Sequence, residues 1–511
     1  MSLQQPSIAT IGVLAVAILL SLRSVLLPRA SVAPSPVIGQ NNTVLFLVNA
    51  EHGLSNVHLA TAQALLERHP HVQSHFGSFK EMAPRLEHLS SHMKIPHERD
   101  IGFHPIDGPS FREAHGKTGS TGSHFPGWAG VGHQCKDMQL YMAPWIGEEH
   151  LAIYEQIGRL IDEVDPAVVV LDVFFRPAID ATRDKNRLHA FISPNTLIDA
   201  FPTYQPWGKM FWKYPAMASG IPYPVPWNRI AENVLLNLRY ILTMLWTPDL
   251  KEKRAYLKSK GLKDPITFFS LHRPDVPWIF QTMPEASIPL DVVPQNVTCT
   301  GPMTLLLETV SEQDKKLANW LKRAPTVLIN LGSAFLYSER AASAMAEAIA
   351  TVLQSSEVQV LWKMRKEGSY GDEYMSPLRH YAETGRVRIE RWLAADPPAI
   401  LESGHVIVSV HHGGAGCYHE AIGSGIPQVI LPQWLDLYNF AQLAEQIGVG
   451  VWGCRETSPF WTAECLSDAI LKVINEANHK DKAQELRRLA QARPGRYVAA
   501  MEIAKLAGSG T

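Results

Sequence analysis

The chain has 511 residues, of which 46% are hydrophobic and 19% are charged, a composition typical of a folded enzyme rather than of a disordered or fibrous protein. Its 47 Lys and Arg residues nearly balance its 49 Asp and Glu residues, and the net charge of −2 argues against a dedicated nucleic-acid-binding protein. At roughly 100–200 residues per domain, a chain of this length predicts two or three domains.

The five cysteines predict free thiols rather than a disulfide framework or a zinc site. They are Cys135, Cys299, Cys417, Cys454 and Cys465. Their number is odd, they are widely spaced and no two of them form a CxxC pair. We therefore expect a protein of a reducing compartment, without a structural metal.

The N-terminal residues predict a membrane anchor. Residues 8–22 form an apolar run of 15, and with the apolar residues after Arg23 the stretch is long enough to span a bilayer at about 1.5 Å per residue. Arg23 and Arg29 both lie on its C-terminal flank, which by the positive-inside rule keeps the body of the protein cytoplasmic. We therefore expect a single-pass protein of the endoplasmic reticulum membrane, anchored by residues 1–30. A cleaved signal peptide and a non-spanning apolar tail are the alternatives.

Behind the anchor, short apolar strands alternate with helices in two separate regions. A Pro/Ser/Asn-rich linker over 31–42 leads into the first, whose predicted elements are strands over 43–49, 167–171 and 188–192 and helices over 59–68 and 230–246. The second has predicted strands over 326–330, 358–363, 387–390, 405–409 and 427–431. Such alternation predicts parallel sheets with functional residues at the carboxyl ends of the strands. The expected organisation is two α/β units over 43–290 and 323–480, a linker over 291–322 between them, and a helical tail over 481–511.

Two stretches of the first region have an unusual composition. Residues 116–132 contain six glycines and predict a mobile loop. A phosphate-binding loop is disfavoured, because Phe111 stands where that motif needs its first glycine. Residues 193–228 hold seven prolines and eight aromatic residues. They predict either an ordered loop that covers the first core or a pocket for a flat or apolar ligand.

The segment 392–439 contains the pattern that indicates chemistry. A strand leads into the turn 411–416 (HHGGAG) and then into a helix. Glycines at such a turn let backbone N–H groups approach a phosphate, and the N-terminus of the helix adds about half a positive charge. His412 can donate a hydrogen bond to a phosphate oxygen, Glu420 can accept hydrogen bonds from ribose hydroxyls, and Trp392 offers a flat face to a base.

With these residues in place, the segment resembles the donor-binding signature of the UDP-dependent glycosyltransferases, the family of plant glucosyltransferases and animal glucuronosyltransferases. The resemblance covers about residues 43–480, and the sequence as a whole resembles the fungal members of the family. It implies the GT-B architecture, in which two Rossmann-like domains face a cleft. The first domain then binds the acceptor and the second binds the UDP-sugar.

The resemblance also implies a role for each matching residue of the second domain. Trp392 would stack on uracil, Glu420 would bind the ribose and Asp436 would hold the hydroxyls of the sugar. The residues implied at the diphosphate are Ser333, His412, Gly414, Gly416 and Cys417, the last two standing where the family has an Asn-Ser pair. Leu437 replaces the Gln that follows the acid in the family, which leaves the identity of the sugar open.

In the first domain, the resemblance points to a histidine base and an aspartate. Asp172 ends a predicted strand, as the family's catalytic aspartate does, and that residue orients a histidine which deprotonates the acceptor hydroxyl. An alcohol is a poor nucleophile until a base takes its proton. His52 is the first candidate and His58 the second. Leu54 occupies the aligned position, so the absence of a histidine base is a third possibility.

The expected function is transfer of a sugar from a UDP-sugar, such as UDP-glucose or UDP-xylose, to a hydroxyl of a hydrophobic small molecule, a secondary metabolite. The family resemblance implies an inverting single displacement that needs no metal or other cofactor. A sterol or lipid glycosyltransferase of the same fold is one alternative. A catalytically inactive UDP-sugar-binding regulator is the other.

Overall fold

The computed structural model of the chain describes residues 34–93, 100–117, 119, 122–267, 271–273 and 275–508. The expected anchor over 1–30 lies outside these residues, as do residues 31–33 of the expected linker. Within the described ranges, no helix combines the length and the apolar character that crossing a membrane requires.

Seven parallel strands form the first sheet, in the order β3-β2-β1-β4-β5-β6-β7. They are β1 (Gln40–Leu47), β2 (Gln73–Ser78), β3 (Gly102–Pro105), β4 (Pro166–Asp172), β5 (His189–Ser193), β6 (Trp278–Phe280) and β7 (Val297–Cys299). The order reverses between β1 and β4, and every residue of β4 is buried. At such a reversal the carboxyl ends of the two strands open a crevice, which places the residues after β1 and β4 in a candidate site.

The helices of this half cover both faces of the sheet. They are α1 (His52–Arg68), α2 (Ala83–Met93), α3 (Phe111–Lys117), α4 (Gly127–Met142), α5 (Gly147–Val164), α6 (Arg176–Asp184), α7 (Leu197–Ala200), α8 (Lys209–Trp212), α9 (Ile230–Trp246) and α10 (Pro248–Ser259). The helix expected over 230–246 coincides with α9. Residues 40–42, expected in a linker, belong to β1, and β7 lies inside the linker expected over 291–322.

Six parallel strands form the second sheet, in the order β10-β9-β8-β11-β12-β13. They are β8 (Thr326–Asn330), β9 (Gln359–Lys363), β10 (Val387–Glu390), β11 (Val406–His411), β12 (Gln428–Ile430) and β13 (Gly450–Trp452). The helices of this half are α11 (Val310–Gln313), α12 (Lys315–Leu321), α13 (Glu339–Ser355), α14 (Arg379–Glu383), α15 (Pro397–Leu401), α16 (Ala415–Ser424), α17 (Leu437–Ile447), α18 (Ala463–Asn475), α19 (Ala477–Ala492) and α20 (Gly495–Ala507). All five strands expected here are present, and β11 extends to His411.

The last helix joins the two halves. α20 packs against α1, β1 and β4 of the first half. Its residues Ala499, Ala500 and Ile503 are completely buried in the same core as Val44 and Phe46 of β1. The stretch expected as a helical tail over 481–511 therefore contributes to the core of the first half, which the chain left about two hundred residues earlier.

Two cysteines form a disulfide, so the expectation of free thiols throughout is wrong. Cys454 and Cys465 are bonded, with Cα atoms 5.4 Å apart. Cys135, Cys299 and Cys417 are free. The spacing rule failed because the loop between β13 and α18 folds back on itself, which brings together two residues that are 11 positions apart.

Candidate active site

Residues from both halves meet in one cleft. The ring of His52, at the start of α1, lies 6.2 Å from the ring of Trp392, which follows β10. The ammonium of Lys363, at the end of β9, lies 3.7 Å from the centroid of the same indole. It also donates a hydrogen bond of 3.1 Å to the carbonyl of Gly332, which follows β8. The carboxyl ends of strands from both sheets therefore share one site.

The turn after β11 is held by His411, which sequence analysis did not assign. Its Nδ1 accepts a hydrogen bond of 3.0 Å from the backbone N–H of Gly413, and its Nε2 donates one of 2.9 Å to Gln428 Oε1. Burial lowers the pKa of His411 to about 4, so the imidazole is neutral at pH 7, as these two hydrogen bonds require. Gly413 has a φ of +89°, and a Cβ there would lie 2.8 Å from Ile430 Cγ2, so no side chain fits. The turn ends at Gly414, which starts α16 without a side chain to cap its free N–H groups.

His412 lies between two glycines at this turn. A Cβ on Gly332 would approach His412 Cε1 to 2.5 Å, and one on Gly414 would approach Nε2 to 2.6 Å. Burial, together with His411 and Lys363, lowers the pKa of His412 to about 3. The ring is therefore neutral and offers one N–H to an anion. Nδ1 is buried and has no hydrogen-bond partner among the described residues.

Two basic residues complete the cradle, and sequence analysis missed both. Arg365 Nη1 donates a hydrogen bond of 2.6 Å to the carbonyl of Ser333. Burial lowers the pKa of Lys363 to about 8, so it is mainly cationic at neutral pH. Two positive charges beside His412 suit the diphosphate of a nucleotide sugar. The sequence held a clue to both residues, because Lys363 ends a correctly expected strand and Arg365 follows that strand by two residues. Trp392 is half exposed, with Lys363 against one face of the indole.

Glu420 lies one turn into α16 beside Gly416. A Cβ on Gly416 would lie 3.9 Å from Glu420 Oε1, so the carboxylate reaches back over the first turn of the helix. Burial, with the nearby Asp396, raises the pKa of Glu420 to about 7. Burial also raises the pKa of the Cys417 thiol, which keeps it protonated. The acid and the helix N-terminus thus share one wall of the site, as the expected ribose and diphosphate contacts require.

A carboxylate pair marks the other end of the site. Asp436 precedes α17, and its pKa is raised to about 7 by burial and by the charge of Asp199. Asp199, on α7 of the first half, was not found from the sequence. Its Oδ2 accepts a hydrogen bond of 2.5 Å from the Thr196 hydroxyl, and burial raises its pKa to about 6. Leu437 is buried, so it supplies no polar group here.

An apolar cavity opens beside Asp199. Its empty volume is about 890 Å³, and α4, α7, α8 and α9 contribute to its walls. Four methionines line it, namely Met138, Met210, Met217 and Met244. Two interpretations of residues 193–228 were open, a covering loop and a ligand pocket. The structure matches the pocket, because residues 198–217 supply much of the lining of this cavity. Flexible thioethers adapt to apolar ligands of irregular shape.

Asp172 does not bond to His52 in the part of the chain that the structure describes, which corrects the expected pairing. Its Oδ2 accepts hydrogen bonds from the backbone N–H of Asn49 at 3.2 Å and from Asn49 Nδ2 at 2.9 Å. Its Oδ1 accepts one of 2.9 Å from the Phe174 N–H. Asp172 therefore holds Asn49, two residues after the end of β1 and three before His52, and so fixes the backbone that leads to His52.

Of the two histidine candidates, only His52 faces the cleft. His58 is completely buried in α1, and neither of its ring nitrogens has a hydrogen-bond partner among the described residues. His52 is exposed to the cleft. Desolvation there and the positive charges of Arg85, Arg112 and Lys363 lower the pKa of His52 to about 4.

Glu51, immediately before His52, is a further residue that sequence analysis missed. Its Oε1 accepts a hydrogen bond of 2.7 Å from the Arg112 N–H. Its Oε2 is buried without a hydrogen-bond partner in the described ranges. Burial raises its pKa, and the charge of Asp172 acts in the same direction. A buried carboxylate oxygen without a partner is a candidate to accept a substrate hydroxyl.

Part of the stretch expected to be a mobile loop is held against the second half. The backbone N–H of His124 donates a hydrogen bond of 3.0 Å to the Gln433 carbonyl, and His124 Nε2 accepts one of 3.1 Å from the Leu435 N–H. Ser123 Oγ donates one of 2.8 Å to Gln433 Oε1. These bonds fix the segment just before Asp436, so the first half positions the carboxylate end of the site.

Comparisons with known proteins identify this arrangement. A family model described as "Erythromycin biosynthesis protein CIII-like, C-terminal domain" matches residues 387–506. The glycosyltransferase sdnJ of Sordaria araneosa is 34% identical over 431 residues, which is 81% of this chain and 84% of that protein. The chain belongs to the UDP-glycosyltransferase family. It is therefore a UDP-dependent glycosyltransferase of small molecules, and the sequence-based family assignment is confirmed.

Solved structures show the fold of this glycosyltransferase. The glycosyltransferase of kitacinnamycin aligns with a TM-score of 0.62 at 16% identity, over 91% of this chain and 99% of that one. A UDP-glucosyltransferase from Polygonum tinctorium, described as capable of glucosylating indoxyl, aligns with a TM-score of 0.61 at 16% identity, over 94% and 100%. The expected GT-B architecture of two facing α/β units is confirmed. The expected N-terminal anchor lies outside the described residues.

Proposed function

We propose that this UDP-glycosyltransferase transfers the sugar of a UDP-sugar, such as UDP-glucose or UDP-xylose, to a hydroxyl of a hydrophobic secondary metabolite. One observation carries the proposal: the apolar cavity of the first half meets the cradle of the second half where Asp199 approaches Asp436. An apolar acceptor and a polar sugar would meet at that junction. The Polygonum tinctorium enzyme is described as capable of glucosylating indoxyl and is in complex with 3,4-dichloroaniline, and both are small aromatic molecules.

The donor is held at its three parts by different groups. Trp392 would stack on uracil and Glu420 would bind the ribose, as the family resemblance implies. The diphosphate would receive hydrogen bonds from His412 and from the first-turn N–H groups of α16, and charge from Lys363 and Arg365. Asp436 would accept hydrogen bonds from the sugar hydroxyls. These donors and charges stabilise the negative charge that the leaving UDP develops.

The transfer would proceed as a single inverting displacement. The acceptor oxygen attacks the anomeric carbon from the face opposite the diphosphate, and the bond from that carbon to the diphosphate oxygen breaks. The proton of the acceptor hydroxyl passes to the imidazole of His52. Asp172 keeps His52 in place through Asn49. Binding of the anionic diphosphate offsets the charge of Lys363, which raises the pKa of His52 and makes it a stronger base once the donor is bound.

The location of the enzyme belongs to the same proposal. We infer that residues 1–30 anchor the chain in the endoplasmic reticulum membrane with the catalytic body in the cytoplasm. The apolar run over 8–22 and the arginines at 23 and 29 support this. A sterol or other lipid as acceptor is the alternative for the substrate class, favoured by the apolar lining of the cavity.

Product analysis tests the proposal. The purified chain is incubated with UDP-glucose, UDP-xylose or UDP-glucuronic acid and a pool of apolar phenols and alcohols, and the products are identified by mass spectrometry. We expect UDP release and acceptors heavier by one sugar residue. His52→Ala serves as the blank, and His88→Ala, on the exposed side of α2, is the matched control. UDP binding without sugar transfer to any acceptor would overturn the proposal.

A further inference from the structure

Four tryptophans between residues 207 and 246 are exposed to solvent. Trp207 and Trp227 are 88% and 87% exposed, and Trp212 and Trp246 are 43% and 59% exposed. Folded proteins bury most of the surface of such side chains. A cluster of large apolar side chains at the surface usually marks an interaction site.

These tryptophans lie on, or just before, two helices that pack together: Trp212 is on α8 and Trp246 on α9, and Trp207 and Trp227 precede these helices by two and three residues. α8 packs along α9, where Asn237 Nδ2 donates a hydrogen bond of 3.2 Å to the Met210 carbonyl. Trp212 Nε1 donates one of 3.0 Å to the Trp207 carbonyl, which holds both residues beside α9. We define the aromatic face by Trp207, Trp212, Trp227, Leu235, Leu242 and Trp246. The last three are exposed and follow one side of α9, because residues seven and four positions apart share a side of a helix.

The aromatic face is the outer side of the wall of the acceptor cavity. Met210 of α8 and Ile241 and Met244 of α9 line the cavity from the buried side of the same two helices. Only the thickness of these helices separates the exposed tryptophans from the apolar space. The aromatic face and the acceptor cavity therefore share one wall of the protein.

We propose that the aromatic face docks on the surface of a lipid bilayer and thereby holds the acceptor cavity next to a membrane in which an apolar acceptor dissolves; the second clause rests on the proposed function. Tryptophan prefers the interface between headgroups and acyl chains, where its ring is apolar and its N–H stays hydrated. In helices that bind at this interface, Trp, Phe and Leu form the side that enters the headgroup region, and charged residues there would oppose entry. α9 has only two charged residues, Glu232 and Arg239, among its 17.

The charges around the aromatic face match anionic headgroups better than a second copy of the chain. Arg239 is exposed within the face. Lys209 and Lys213 share one carboxylate, that of Asp291, at 2.5 Å each, so this group keeps one positive charge. Positive groups near a surface are attracted to anionic lipids. In a two-fold dimer through the same face, these groups would approach their own copies and repel one another.

A local fluorescent probe tests the docking on the full chain. Trp227→Cys is labelled with an environment-sensitive dye and mixed with vesicles of phosphatidylcholine and phosphatidylserine, and Lys480→Cys, exposed on α19, is the matched control. We expect the emission of the probe at 227 to shift to shorter wavelength and to be quenched by spin-labelled lipid, while the probe at 480 does not respond. Residues 1–30 are present in both proteins, so the difference reports on the face.

Two outcomes of this experiment would overturn the docking. One is an equal response of the two probes to vesicles. The other is a shift at 227 that grows with protein concentration in the absence of vesicles, which would indicate a second copy of the chain. Light scattering of the unlabelled chain would detect such self-association as a molecular mass that rises with protein concentration.

A kinetic experiment separates the docking from the proposed function. For the triple variant Trp207→Ser, Trp227→Ser, Trp246→Ser, we expect an apparent KM for an acceptor presented in vesicles at least about tenfold higher, because interfacial binding scales with buried apolar area. Turnover of a water-soluble phenol and UDP affinity stay unchanged, and circular dichroism checks the fold. An unchanged KM for the vesicle acceptor contradicts the proposal. Transfer to no acceptor at all contradicts the proposed function and leaves the probe result standing.

Discussion

The half proposed to bind the donor and the half proposed to bind the acceptor, called the donor half and the acceptor half below, are built by different means. In the donor half, a turn and one helix over 411–420 supply the anion cradle, and much of it is backbone held by His411 and glycines. In the acceptor half, the base, Asp199 and the cavity come from side chains far apart in the chain. A binding site made of neighbouring residues leaves a motif in the sequence. A site made of distant side chains does not.

The same contrast applies to the two histidines of the cleft. His412 is neutral because it is packed between Gly332 and Gly414, and its N–H can serve an anion without a change of charge. His52 is neutral partly because Arg85, Arg112 and Lys363 surround it. Its basicity therefore depends on what the donor site contains. The following experiments test this contrast, from the largest expected effect to the smallest.

Removal of the base has the largest expected effect and should separate the two halves. For His52→Ala we expect kcat to fall about 10²–10⁴-fold, because general-base catalysis contributes that much. The Kd for UDP should not change, since UDP binds to the other half. Steady-state kinetics and titration calorimetry measure the two quantities, with His88→Ala as the control. Turnover near that of the wild type would refute His52 as the base.

A glycine substitution tests the backbone cradle. Gly413→Ala should weaken UDP binding and lower the free energy of unfolding by about 1–3 kcal/mol, the usual strain of a forbidden backbone conformation. The reason is its φ of +89° and the 2.8 Å approach to Ile430 Cγ2. Gly448→Ala is the matched control, because Gly448 has a similar φ of +82° but lies after α17, away from the turn, with nothing within 4 Å of its Cβ. Equal UDP affinity of both variants would show that the turn does not bind the diphosphate.

A change at Asp436 should weaken binding of the sugar part of the donor and leave binding of the nucleotide part unchanged. For Asp436→Asn we expect the KM for the UDP-sugar to rise about tenfold, because hydrogen bonds to a charged group contribute about 1.5–3 kcal/mol. The Kd for UDP alone should stay the same. Glu445→Gln, on the exposed side of α17, is the control. A parallel loss of UDP affinity would place Asp436 at the nucleotide instead.

The smallest expected effect is a shift of a pH profile. In the proposed mechanism His52 acts in its neutral form, so we expect activity to fall as the pH drops through the pKa of His52, which burial and nearby positive charges lower to about 4. Lys363→Met removes a positive charge, so the acid limb of kcat/KM should move up by about one pH unit. Lys366→Met is the control, because Lys366 is paired with Asp372 outside the cleft. An unmoved limb would show that Lys363 does not act on the base.

Helices and strands with a clear apolar pattern could be predicted well from the sequence. Very short strands and contacts between residues distant in the chain could not. The strands β8 and β10 and the helix α9 lie where the apolar pattern placed them, since each has a long enough pattern of its own. β6 and β7 have three residues each, too few to show a period, and they exist because β5 offers an edge. The disulfide and the bonds of His124 escaped the same reasoning, because they join residues that only the folded chain brings together.

Within the candidate site the same division holds. The sequence led to His412, Gly414, Glu420 and Asp436 through one motif. The sequence also led to His52 and Asp172, but as two residues expected to bond to each other, whereas Asp172 bonds to Asn49. Lys363, Arg365, Glu51 and Asp199 were missed, although the first two lie at the carboxyl end of β9, Glu51 precedes α1 and Asp199 lies in the short helix α7. Their neighbours in space, and not those in the chain, give them a place in the site.

The amino-acid sequence was sufficient for the two α/β units, the anion-binding turn and the enzyme family, because apolar periodicity and glycine geometry act on the local backbone. Folding of the whole chain was needed for the apolar cavity, the approach of Asp199 to Asp436, the charges around His52 and the exposed aromatic face. These properties depend on desolvation and on Coulomb interactions, which are set by distances between side chains that lie hundreds of residues apart in the chain.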